Sequence, residues 1–276
     1  MTFGAEGLVV SFGGRRALAG VDLEIAAGRV AAVVGGDGAG KSTLFHCLAG
    51  TIRPEAGVVR RPAKERLGSM PSQSGTWADL TVDENLAFAA TAYGLRGARF
   101  TARRDELVER AALGPARGRL ARDLSGGMRR KLGFLMAIVH QPELLLLDEP
   151  STGVDPVSRV ELWRMIAEAA AAGTAVAMAT TYLDEAERAS TVLVLDDGHT
   201  IASGPAPDVV AAVPGTIVAT SSPTVAERAW RRGRRFHEWR PPVAGTGEPP
   251  AGDPLVPDLE DAVIALMIAR REALAA

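Results

Sequence analysis

Three apolar stretches open the chain, Leu8–Phe12, Val21–Ile25 and Val30–Val34, and the glycine turns between them predict three short strands. Three more, Leu144–Leu147, Thr174–Ala179 and Thr191–Leu195, alternate with segments of helical period. Their apolarity is continuous rather than alternating. That marks strands covered on both faces and predicts a largely parallel sheet with helices on each side. Between the two sets, residues 82–122 show no strand pattern and are rich in Ala, Leu, Arg and Glu, as an inserted helical subdomain would be. A further helix is expected over 156–172, with Asp155 as N-cap, Pro156 first and Gly173 just past its end.

After Gly204 the composition changes. Residues 241–257 read PPVAGTGEPPAGDPLVP, a proline- and glycine-rich linker. A last helix is expected from Leu259, capped by Asp258, with Leu259, Val263, Leu266 and Met267 on one face.

The 276 residues, 47% hydrophobic, suffice for a sizeable core, and a net charge of −2 gives no reason to expect a nucleic-acid partner. The single cysteine, Cys47, excludes an intramolecular disulfide, fits a reducing compartment, and reads as a small buried residue. No apolar run reaches the roughly 18 residues needed to span a bilayer, and no charged leader precedes an apolar stretch. The expectation is a cytoplasmic chain that reaches a membrane only through a partner.

The candidate chemistry begins at GGDGAGKS, Gly35–Ser42, directly after the third strand and before a helical segment, Lys41–Leu48, that ends at Gly50. Gly35, Gly38 and Gly40 let the backbone curl with its amides inward around phosphate oxygens. Lys41 adds positive charge, Ser42 offers a hydroxyl to Mg²⁺, and Ala39 and Thr43 complete the candidate phosphate-binding set. A ligand-free glycine turn is the plain alternative, and the strand and helix flanks count against it. LLLLDEP, Leu144–Pro150, is a buried strand ending in two carboxylates: Asp148 suits Mg²⁺ and Glu149 suits polarising an attacking water. LSGGM, Leu124–Met128, lies before a helical stretch over Arg129–His140, so that Ser125, Gly126 and Gly127 can offer a hydroxyl and amides to a second anion.

Taken together, these segments resemble the nucleotide-binding subunits of ABC transporters over nearly all of residues 5–215. LSGGMRRKL, STGVDP (Ser151–Pro156), YLDEAE (Tyr182–Glu187) and DLEDAVIALM (Asp258–Met267) resemble the ATPases of ABC-2 type exporters in particular. The implied fold is α/β: a P-loop NTPase core with a mostly parallel sheet, an antiparallel β subdomain and an inserted helical subdomain at about 82–130. Residues 1–214 would form the ATPase domain and 215–276 a small C-terminal accessory module.

The resemblance also implies ATP with Mg²⁺ as ligands. It implies a homo- or heterodimer in which Lys41 and Ser42 of one subunit and Ser125 and Gly127 of the other enclose one ATP. Asp155 would lie in the loop between subunits, and separate ABC-2 type permease subunits would hold the chain on the inner face of the membrane. Phe12 would stack on adenine, although it fits a strand core as well.

Two positions depart from the family pattern. Thr181 stands where a histidine usually contacts the γ-phosphate; a threonine is shorter, uncharged and unable to shuttle a proton near neutral pH, so slow hydrolysis is expected. The four histidines, His46, His140, His199 and His237, read as helix or loop residues and offer no substitute. In MPSQSGTWADLT the glutamine expected to sense the γ-phosphate and Mg²⁺ falls at Ser72, with Gln73 one place late.

Trp77, Phe88, Tyr93 and Phe100 can line a groove for a membrane-subunit helix or form the subdomain's own core. Arg228–Arg240 concentrates arginines around aromatics; it reads as a solvated helix and strand rather than a lipid or nucleic-acid patch. The leading expectation is the ATPase subunit of an exporter. A slowly or non-hydrolysing ATP-binding regulatory half of a heterodimer is one alternative, and a soluble ABC protein acting on nucleic acid or ribosomes another. Against the last stand a single P-loop, a single LSGG motif and a short basic patch.

Overall fold

The computed structural model describes residues 1–242 and 253–275. Its centre is a six-stranded sheet in the order β5 (Leu67–Met70), β6 (Leu144–Asp148), β7 (Ala175–Ala179), β3 (Val30–Val34), β8 (Thr191–Asp196), β9 (His199–Gly204). All neighbours are parallel except the β8–β9 hairpin. Every residue of β3 and β7 is buried, as continuous apolarity requires. Period two sends alternate side chains to opposite layers. Leu145, Leu147, Val176 and Met178 join a cluster with the helical insertion, while Leu144, Leu146, Ala175 and Ala177 join one with the antiparallel strands.

That antiparallel sheet runs β2 (Arg15–Ala26), β1 (Thr2–Phe12), β4 (Ala56–Arg60). β1 and β2 extend beyond their apolar runs because their ladder continues from Thr2 opposite Ala26 to Phe12 opposite Arg15. Helix α1 (Lys41–Ala49) packs beneath it; Cys47 is buried there, and burial pushes its thiol pKa up.

The insertion holds α2 (Val82–Ala92), α3 (Gly97–Arg110) and α4 (Gly126–Ile138), with a single isolated bridge, Thr81 to Leu120, as its only strand-like pairing among the described residues. Thr81 and Glu84 form a reciprocal capping box at the start of α2. Phe100 packs against the core, while Trp77 and Phe88, 52% and 50% exposed, meet edge to face with ring centroids 5.0 Å apart.

Tyr93 stacks on His140, whose Nε2 lies 3.2 Å from the Leu67 carbonyl and therefore donates to it. Burial lowers the His140 pKa from 6.5 to about 4. The neutral ring's contribution to stability is thus fully present above about pH 6.5 and is lost as pH falls toward 4. The thermal midpoint should decline across that window, and His140→Phe, which keeps the stack, should flatten the decline.

Helices α5 (Pro156–Ala171), α6 (Leu183–Ala186) and α7 (Ala206–Ala211) follow the strands. The carboxyl-terminal region contains a sheet ordered β11 (Ala229–Arg232), β12 (Arg235–Arg240), β10 (Thr216–Thr220), β13 (Asp253–Pro254), then α8 (Leu259–Ala275). Residues 228–240 therefore form a β-hairpin after one 3₁₀ turn, not a helix and strand: Trp230 and Phe236 alternate with arginines across the Arg232–Arg235 turn. His199 and His237 likewise lie in strands, contrary to expectation. His237 Nδ1 meets the buried Asp261 carboxylate at 2.8 Å, and Trp230 Nε1 donates to it at 3.0 Å. Positions 243–252 of the proline-rich stretch lie outside the described residues. Asp258 caps α8 through the Asp261 amide, and Leu259, Val263 and Leu266 bury against Ala32, Val34, Val192 and Val194 of β3 and β8. Among the described residues no helix is long and apolar enough to cross a membrane.

Candidate functional site

The strand order β5-β6-β7-β3 lines up four carboxyl ends on one edge. β3 runs into the 35–42 loop, β6 into Asp148 and Glu149, β7 into Thr180 and Thr181, and β5 into the 71–75 loop. Backbone bonds tie the edge together: Thr180 N donates to Val33 O at 3.1 Å and Glu149 N to Ala179 O at 2.9 Å.

Glycine is required in the 35–42 loop for steric reasons. Gly40 has φ +106°, and a Cβ there would lie 2.6 Å from Ala17 O; at Gly35 it would lie 2.3 Å from Leu195 O. Helix α1 starts at Lys41 with no side-chain cap and no acid in its first turn, leaving its leading amides for an anion. Lys41, only 6% exposed, folds back so that Nζ donates to Gly35 O at 2.7 Å and Gly36 O at 3.0 Å, holding the ammonium over the loop. Ala39 is buried beneath, Thr43 is half-buried, and Gly36, Gly38 and Ser42 face outward.

Asp148 closes the site. Burial pushes its carboxyl pKa up, and the Glu149 charge adds to this; the Ser42 hydroxyl, His46 and Lys41 act in the opposite sense. Its Oδ1 is buried without a hydrogen-bond partner. A buried, unsatisfied carboxylate oxygen beside a serine hydroxyl is a hard-oxygen donor pair that fits Mg²⁺. No cluster of three or more acidic, His or Cys ligands occurs among the described residues. Glu149 is held at φ +50°, a strained conformation for a side-chain-bearing residue, and Thr152 Oγ1 donates to its Oε2 at 3.2 Å.

Two expected positions are exposed here: Gln73 in the 71–75 turn and Thr181 just past β7. Phe12, 53% exposed at the end of β1, is not a core residue. Asp155 caps α5 through Val157 N and Ser158 N, which holds its carboxyl below the usual range. Ser125 caps α4, accepting from Met128 N at 3.2 Å; the helix accordingly begins at Gly126 rather than Arg129. Ser125, Gly126 and Gly127 form no hydrogen bond with the phosphate loop among the described residues.

Sequence reasoning missed the residues that brace this edge. Glu185, 3% exposed, accepts from Ser151 Oγ at 2.8 Å, Thr180 Oγ1 at 3.0 Å and Arg159 Nε at 3.2 Å, joining the loop after β6 to the end of β7. Arg130 reaches the carbonyls of Ser72 and Thr152. The clue for Glu185 was an acid in YLDEAE; no local pattern marks Arg130.

Comparison with known proteins agrees with this geometry. The family model described as ABC transporter matches residues 18–152. The daunorubicin resistance ATP-binding protein DrrA3 of Streptomyces coeruleorubidus is 37% identical over 221 residues, covering 76% of this chain and 70% of that protein. The chain belongs to the ATP-binding proteins of ABC transporters. The chain is also 43% identical over 198 residues to the probable multidrug ABC transporter ATP-binding protein YbhF of Escherichia coli K12, covering 68% of this chain but only 34% of that protein. A Nod factor export ATP-binding protein of Cupriavidus metallidurans is 36% identical, with 64% of its length covered. Among solved structures, an ATP-binding subunit of an ABC transporter superimposes with a TM-score of 0.70 at 27% identity, over 76% of this chain and 92% of that one. The chain thus has the α/β fold read from its sequence, and one of these relatives is named for Nod factor export.

Proposed function

We propose that this ABC ATPase binds MgATP at residues 35–43 and hydrolyses it to power export through separate ABC-2 type permease subunits. The observation that carries this reading is the shared edge, where a caged lysine after β3 faces the end of β6, across β7, with its buried unsatisfied aspartate and strained glutamate. In it, Lys41 and the amides at the start of α1 bind the phosphate tail, Ser42 and Asp148 hold the ion, and Glu149 accepts a proton from the attacking water. Bound Mg²⁺ supplies neutralisation of charge on the phosphate oxygens. Phe12, exposed at the end of β1, stacks on the base, and Gln73 remains the candidate for reaching the ion from the 71–75 loop.

The reading includes a dimer. Ser125–Gly127 offer a hydroxyl and amides at the amino end of α4, with Asp155 beside Gly127, and in this reading they meet the phosphate loop of a second subunit. The exposed Trp77–Phe88 pair offers the apolar contact a permease helix needs. A division near residue 214 is supported by the separate β10–β13 sheet, with 215–276 as an accessory module braced by α8. The test is ATPase activity with and without a co-purified membrane partner: stimulation supports coupling, and calorimetry detecting no heat from MgATP overturns the whole reading.

Thr181 favours slow turnover, and with it a second reading, a regulatory half that binds ATP mainly to hold a dimer together. Replacing Thr181 by histidine restores a group able to carry charge and a proton, and should raise steady-state phosphate release about tenfold. A rise of less than about twofold would show that Thr181 does not limit the rate.

A further inference from the structure

Helix α4 touches both loops that flank the catalytic carboxylate. At Gly133 a Cβ would lie 2.2 Å from Ser74 O, so α4 packs directly on the 71–75 turn. At Gly126 a Cβ would lie 3.5 Å from Gly153 O, and at Gly127 it would lie 2.4 Å from Ser158 Oγ in the first turn of α5, so its amino end packs on the loop after Glu149 and on the helix that follows it. Arg130 lies between these contacts. Its guanidinium donates to Ser72 O through Nη1 and, at 3.1 Å, to Thr152 O through Nη2, while the Thr152 hydroxyl donates to Glu149 Oε2 at 3.2 Å. Burial lowers the Arg130 pKa and the Glu149 charge opposes this, which places the arginine within electrostatic reach of the carboxylate.

We propose that Arg130 is a positioning residue that, through Thr152, fixes the Glu149 carboxylate relative to the amino end of α4 and the 71–75 loop. Two carbonyls from separate loops share one rigid planar donor, so neither loop can move without strain on the other. Displacement of α4 therefore changes the aim of Glu149, and the strained φ of Glu149 makes that aim depend on its supports. No proton leaves Arg130; its role is geometric, and it rests on the hydrolytic reading of Glu149 given above.

The test uses the full chain. Arg130→Gln should lower kcat for ATP about tenfold while leaving MgATP affinity within about threefold, since the phosphate loop is untouched. Arg130→Lys, keeping the charge and one donor direction, should recover part of the rate. Thr152→Val should cause a similar loss, and the double variant should be no slower than the worse single one, because both act along one chain of contacts. In the nucleotide-free protein, Arg130→Gln should speed amide exchange in both 71–75 and 149–153. Unchanged turnover, losses that multiply, or exchange rising in one loop alone would overturn the proposal. If the wild-type chain binds no MgATP, the ATPase reading is what fails, and the exchange pattern alone decides for or against Arg130.

Discussion

Lys41→Ala should abolish turnover and weaken MgATP binding about 100-fold, roughly 2.7 kcal/mol, as expected when a charge-assisted contact to phosphate is removed from a largely desolvated position. The lysine is almost fully buried and already bonded to Gly35 O and Gly36 O, so no rearrangement of the loop is needed to present it. Removing it costs binding in two ways: the positive charge is lost, and the two carbonyls are left facing the anion. The fold should persist, because those carbonyls can be solvated at the open side of the loop. Calorimetric titration together with a thermal midpoint separates the effects; affinity within about threefold of wild type would remove the 35–42 loop from the binding account.

Glu149→Gln should lower hydrolysis about 10²- to 10⁴-fold, the usual range for losing a general base, with ATP affinity nearly unchanged. The amide is isosteric and can still take the Thr152 hydrogen bond, so the strained backbone at φ +50° keeps its support. What disappears is the ability to accept a proton. If ATP holds two subunits together, this variant should also accumulate as an ATP-dependent dimer in gel filtration, because the ligand that closes it is no longer consumed. Single-turnover phosphate release measures the first effect; a rate within about threefold of wild type would assign the base elsewhere.

Those two residues were legible in the sequence because each sits in a locally coded device. The glycines at 35 and 40 are demanded by steep steric limits, and Lys41 follows them at fixed spacing. Asp148 and Glu149 follow four consecutive leucines, a short continuous apolar run of the kind a strand buried on both faces requires. The cap roles of Asp155 and Asp258 were equally local, since a side chain that bonds an amide two or three residues onward is written in adjacent letters. The same local rules failed for 228–240. Alternation there is blurred by arginines on both faces of the hairpin and just before it, whose heads pair with α8, as Arg228 does with Glu272 and Arg232 with Glu260.

By itself the sequence determined the element types along the core, the phosphate loop with its lysine, and the carboxylate pair at a strand end, because backbone sterics and side-chain period act over a few residues. Only the tertiary structure decided that β6, β7 and β3 stand side by side, that Glu185 joins Ser151 to Thr180, and that Arg130 bridges two loops eighty residues apart. Those arrangements follow from which apolar faces bury one another across the chain, and no single segment carries that information.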